Sequence, residues 1–119
     1  MSHKYEKKGY LLEDFRLFHL KDKGETNVDY HYHEFYKLLF FISGSGEYVV
    51  EGKRYSLTPG DVVLIGKHFI HRPEFSPEVP CERIILYISQ EFLEKTSSAS
   101  CDLTECFSRE YDHVLRPNE

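Results

Sequence analysis

Four histidines stand in two short stretches, His31 and His33 in one, His68 and His71 in the other. Neutral imidazole is a good ligand for Zn, Ni, Fe and Cu, and a metal site gathers three or four such donors at one point. His31 and His33 are two apart in an extended stretch, so both point to one face. His68 and His71 follow the apolar run Val62 to Ile65. A fold that sets the two stretches side by side would converge the rings. His31, His33 and His71 are therefore candidate ligands for a divalent metal such as Zn, Ni or Fe. His68 reads as a loop residue, a ligand only if its loop folds inward.

Lys37 has the parity of His31 and His33 and faces the same side. A cation beside a divalent metal is repulsive unless it is deprotonated or paired. Glu34, of opposite parity, does not supply a carboxylate there. Two roles are open to Lys37. It can snorkel to solvent at a cavity mouth, or face the cavity and recognise a carboxylate, a phosphate or a sugar hydroxyl. Phe35, Leu39 and Phe41 share its face, and a few polar groups on apolar walls are what a small-molecule pocket needs. The alternative to a metal site is thus an effector pocket of His31, His33, Lys37 and His71. Tyr48, Tyr55 and Tyr87 can stack on a sugar and bond its hydroxyls, or serve as core and rim residues; Tyr48 and Tyr87 are counted with the pocket. No nucleophile elbow or phosphate-cradling glycine loop is present, and no residue is assigned a catalytic role.

The elements that must position these groups are short strands. Phe15 to Leu20 alternates and reads as the first, followed by a turn around Gly24. Tyr30 to Ser43, rich in aromatic and aliphatic residues without Pro or Gly, carries the densest strand signal. Glu47 to Val50 and Lys53 to Leu57 flank a Glu51-Gly52 hairpin turn, where Gly52 supplies a positive φ. Val62 to Ile65 and Arg83 to Ile88 are apolar strands. Phe69 to Arg72 reads as a short strand, and Pro73, Pro77 and Pro80 as a loop. About seven strands at regular spacing, with no long helical period, predict an all-β jelly-roll sandwich or barrel. Tyr36, Leu38, Phe40 and Ile42 form a second apolar row, predicting cover by the tail or the N-terminal strand, or a dimer surface. After Ser89, a helix N-cap, the texture turns helical through Phe92 and Leu93. Thr96 to Ser100 breaks it. Asp102 and Glu105 have capping-box spacing, with Cys106 and Phe107 offering an apolar contact. Arg116 to Glu119 reads as a linker, and Met1 to Gly9 as loosely ordered.

The 119 residues fit a single domain, with a barrel over about 10–89 and a helical tail or linker over 90–119. The net charge of −5 argues against a phosphate-gripping surface, although Lys4, Lys7 and Lys8 give the N-terminus a local positive patch. Cys81, Cys101 and Cys106 are odd in number and form no C-x-x-C pair, which points to a reducing cytoplasm. The first residues lack a signal-peptide apolar region. The longest apolar run, Leu38 to Ile42, is far too short to span a bilayer, so no membrane partner is expected.

The stretch from His31 to Gly44 resembles the first cupin motif, with His31, His33 and Gly44 in register and Lys37 where that motif carries its acid. Gly60-Asp61 through His71 resembles the second, with Gly66 at the usual Pro and His68 at the usual Gly. The segments GSGEYVVEGKRYSLTPGDVVLI, HRP and SQEFLEKTSSASCDLTECF are similar to the N-terminal effector-sensing domain of AraC-type transcription regulators. The resemblance covers roughly Tyr30 to Phe107. It implies a cupin (double-stranded β-helix, jelly-roll) barrel with a short helical C-terminal tail. It also implies a small-molecule effector, sugars being the family's commonest association. DNA would be bound only through a C-terminal helix-turn-helix region that this chain lacks, and a homodimer is possible in such regulators. The alternative reading is a stand-alone metal-dependent cupin enzyme, a dioxygenase or isomerase.

Overall fold

Strand follows strand because apolar and polar residues alternate and turn residues interrupt them at short intervals. A computed structural model describes residues 6–7, 11, 13–23, 30–98, 102, 104–108 and 112–116. The strands are β1 (Glu6–Lys7), β2 (Phe15–Asp22), β3 (His31–Tyr32), β4 (Tyr36–Ser43), β5 (Gly46–Val50), β6 (Lys53–Ser56), β7 (Val62–Ile65), β8 (His71–Phe75), β9 (Cys81–Ile88) and β10 (Val114–Leu115). One helix, α1 (Gln90–Thr96), and a 3-10 turn at Glu105–Phe107 complete the elements. The strands form two five-stranded sheets, in the orders β1-β3-β8-β5-β6 and β10-β7-β4-β9-β2. The chain is an all-β jelly-roll whose sheets enclose a common core without closing into one hydrogen-bonded ring among the described residues.

The inner rows follow from strand parity. Leu39 and Phe41 of β4, Tyr48 and Val50 of β5, Val63 and Ile65 of β7, Phe75 of β8 and Ile85 of β9 pack between the sheets. On the outside of the second sheet, Leu64, Ile88, Leu93 and Phe107 form a smaller cluster against which Tyr36, Leu38 and Leu86 pack. The second apolar row of β4 is thus covered in part by the tail, as its pattern predicts. Phe40 and Ile42 remain partly exposed.

Ser89 caps α1 by accepting a bond from the Phe92 amide at 3.1 Å. At the Glu51-Gly52 turn both residues have positive φ, 49° and 80°. That is the pattern whose twist suits a two-residue hairpin.

Several expectations are corrected. Tyr30 to Ser43 is two strands: the chain leaves one sheet after Tyr32 and enters the other at Tyr36. Pro73 is not in a loop but inside β8, opposite Tyr48. Asp102 does not cap a helix. It accepts bonds from the Thr104 amide and hydroxyl, and Thr104 precedes the 3-10 turn. Cys106 is exposed while Phe107 is buried. The tail is not purely helical, because β10 pairs with β7, Val114 opposite Val63. Arg116 ties it down by bonding the Ser56 carbonyl at 2.7 Å and pairing with Asp61 at 3.3 Å. At the other end Glu6–Lys7 is ordered as a parallel partner of β3. The Gly24 turn, Lys4, Lys8, Cys101 and residues 117–119 lie outside the described residues.

Candidate ligand-binding site

Strands of both sheets bring the predicted polar residues together. His71 opens β8 between His31 of β3 on one side and Val50 of β5 on the other. His33 lies in the crossover between β3 and β4, and the inward alternation of His31, His33, Phe35 and Lys37 survives the change of sheet. The ring centroids of His31 and His71 are 4.3 Å apart, those of His33 and His71 5.0 Å, and those of His31 and His33 5.1 Å. One nitrogen from each ring lies within 4.8 Å of the others, and all three residues are buried.

Lys37 projects from the opposite sheet, in register with Ile65 and Tyr87. It does not snorkel: it is 7% exposed, and its Nζ donates to the Tyr48 hydroxyl at 2.9 Å across the interior. Burial pushes the Lys37 ammonium below the usual lysine range, Arg83 adds to this, and Tyr87 opposes it. Burial likewise pushes the Tyr48 phenol up. Tyr87 closes the aromatic wall, 4.4 Å from the Phe35 ring and 5.7 Å from His33. Phe35 stacks on His33 at 4.6 Å. Tyr55 stands apart and bonds the His113 amide.

His71 has a defined tautomer. Its Nδ1 lies 2.9 Å from the Phe69 carbonyl, which can only accept, so Nδ1 carries the proton. Its Nε2 then bears the lone pair. That atom is buried and has no hydrogen-bond partner among the described residues. Burial holds His71 well below the usual histidine range, and Lys37, His31 and His33 push the same way. Gly66 makes this arrangement possible, because a Cβ there would lie 2.6 Å from the Phe69 ring.

His68 does not join the cluster. It sits at a φ of 69°. Its ring bonds Glu34 at 2.6 Å, and its amide donates to the His33 carbonyl at 2.9 Å. It fastens the loop over the site from outside. The Phe69 carbonyl and the His113 ring packed 5.4 Å from Phe69 were not readable in the sequence. A backbone acceptor leaves no signature in residue type.

Three buried imidazoles, one of them with a buried lone pair, fit a divalent ion in ligand type. The charge does not help: no carboxylate among the described residues joins the set, and Lys37 stands nearby.

The sequence matches the AraC-like ligand binding domain over residues 18–117. The chain belongs to that family. Solved structures similar to this AraC-like domain include a protein from Ralstonia eutropha JMP134 provisionally named a mannose-6-phosphate isomerase. The two are 19% identical over 66% of this chain and 80% of that one, with a TM-score of 0.58. A Cupin 2 conserved barrel domain protein from Salinispora arenicola CNS-205 is 17% identical over 71% of each chain, TM-score 0.56. A cupin protein from Bacteroides fragilis is 18% identical over 74% of this chain and 73% of that one, TM-score 0.54. These likenesses establish the cupin fold of the AraC-like domain. No curated protein matches it significantly. No helix among its described residues is long and apolar enough to cross a membrane.

Proposed function

We propose that this AraC-like domain senses a small molecule held between its sheets by His31, His33, Lys37, Tyr48, His71 and Tyr87. In this reading the chain is one whole domain of a cytoplasmic transcription regulator. DNA is contacted by a separate helix-turn-helix region, and the domain itself catalyses nothing. One observation carries the reading: the space between the sheets holds a buried group of imidazoles, an ammonium and a phenol drawn from both sheets. Buried polar groups cost stability unless they meet partners, so a ligand with complementary groups has differential affinity for the ordered state.

Transmission follows from neighbouring elements. β1 pairs with β3, placing Glu6 opposite His31, and the loop at His68 is bonded to the His33 carbonyl. A ligand that fixes His31 and His33 thereby favours docking of both the N-terminal arm and the loop. That shifts the population presented to an attached region. Leu17, Phe40 and Ile42, exposed on the outer face, offer apolar area for a homodimer.

A second reading rests on the buried lone pair of His71. His31, His33 and His71 would hold Zn, Ni or Fe, which would supply a Lewis-acidic position for a ligand oxygen. The chain would then be a metal-dependent dioxygenase or isomerase.

A thermal-shift screen tests the sensing reading. A true effector stabilises the domain by about 2.7 kcal/mol at a hundred times its dissociation constant. The stabilisation should vanish in Lys37→Ala and His31→Ala. A shift that survives both substitutions together places the ligand elsewhere.

A further inference from the structure

We infer that the ligand is a small hydroxy acid, its carboxylate on Lys37 Nζ and a hydroxyl donating to His71 Nε2. This rests on the pocket reading above and narrows it to a chemical class.

The Lys37 ammonium is donor-only, and its partner is the neutral Tyr48 phenol. Several acids are paired elsewhere. Asp22 pairs with Arg83, Asp61 with Arg116, Glu34 with His68, and Glu47 and Glu74 with Arg54. No described carboxylate lies within ion-pair distance of Lys37, and the other side chains acting on His71 are the imidazoles of His31 and His33. The buried polar group is therefore one that an anion would complete. The aromatic wall of Phe35 and Tyr87 keeps the effective dielectric low, which strengthens an ionic contact.

His71 asks for the opposite group. With Nδ1–H committed to the Phe69 carbonyl, Nε2 is a buried acceptor without a donor among the described residues. A lone carboxylate would leave it so, and a carboxylate facing it would be repelled. A neutral sugar would satisfy His71 but leave the ammonium without a counter-charge. A molecule carrying both a carboxylate and a hydroxyl, such as a short hydroxy acid or a sugar acid, meets both demands.

Isothermal titration of the full chain with lactate, tartrate, gluconate and glucuronate tests this. The comparison ligands are lactamide, propionate, glucose and arabinose. The acids with hydroxyls should bind at least about tenfold more tightly than the amide and the deoxy acid, the size of one charge-assisted or buried hydrogen bond. Lys37→Met should erase the preference for acid over amide. His71→Phe should erase the preference for hydroxy over deoxy acid. Comparing ligands on the wild-type protein reads the same preferences should a variant misfold. If glucose or arabinose binds in the pocket, with loss on His31→Ala, and the acids bind no better, the inference fails and the pocket reading stands. If neither acids nor neutral ligands bind, or acid binding survives Lys37→Met undiminished, the inference is overturned. Complete silence also removes support from the pocket.

Discussion

Lys37 and Tyr48 form a pair whose energetics can be dissected, because each is the other's partner inside the core. Tyr48→Phe removes the one hydroxyl that solvates a buried ammonium. Hydrogen bonds to charged groups are worth about 1.5–3 kcal/mol, and that loss is expected. Lys37→Met removes the charge but strands the Tyr48 hydroxyl, so relief and penalty oppose each other. The double variant Lys37→Met/Tyr48→Phe removes both polar groups. It should be at least as stable as the wild type, since replacing both partners by apolar groups of similar shape is near neutral or favourable. The pH dependence fixes the cause. Lys37 has a depressed folded value because of burial, so between that value and its ordinary 10.5 the unfolded chain holds the extra proton. Stability of the wild type relative to the double variant must therefore rise with pH towards 10.5, by up to about 1.4 kcal/mol per unit. Below the folded value the difference is flat. Urea denaturation followed by circular dichroism between pH 7 and 10.5 measures it. A double variant less stable than Tyr48→Phe alone, or a difference independent of pH, would refute the buried-ammonium argument.

Three further outcomes are expected. His71 is held neutral by burial and by the nearby Lys37, so stability it contributes is complete above its ordinary value of 6.5 and is lost as pH falls below it. His71→Gln should flatten the acid limb of the stability curve, and an unchanged slope would be contrary. Gly66→Ala places a Cβ 2.6 Å from the Phe69 ring and 2.9 Å from the Phe107 carbonyl, and overpacking of this kind costs about 1–3 kcal/mol in a chemical melt. Protein purified without chelator or affinity resin should hold well under one equivalent of Zn, Ni or Fe by elemental analysis, because Lys37 stands beside three imidazoles with no acid among them. One tightly bound equivalent, lost on substituting His31 or His33, would favour the metal reading.

The inward face of the site was legible because period-two alternation does not depend on which sheet a residue belongs to. His31, His33, Phe35 and Lys37 keep that alternation through the crossover, even though the strand itself breaks there. The break was not legible, because aromatic residues continue through it and no Gly or Pro marks it. Pro73 misled in the opposite sense. Proline reads as a breaker, yet it lies within β8 opposite Tyr48. β10 is two residues long, too short for any period to show. Lys37 was ambiguous in sequence, since a long side chain can reach solvent or stay inside. Its partner on β5 decides the matter, and such a contact between sheets is set by tertiary structure alone.

The central claim is that a small molecule occupies the space between His31, His33, His71 and Lys37. Long-range proton–nitrogen NMR of the histidine rings tests it most directly, using titration with the tightest binder from a metabolite library. The ring nitrogens of His31, His33 and His71 should shift together and saturate at one ligand per chain. His19, on the surface beside Glu82, should stay still. Shifts confined to His19 or His68, with the three buried rings unmoved at saturation, would contradict the account.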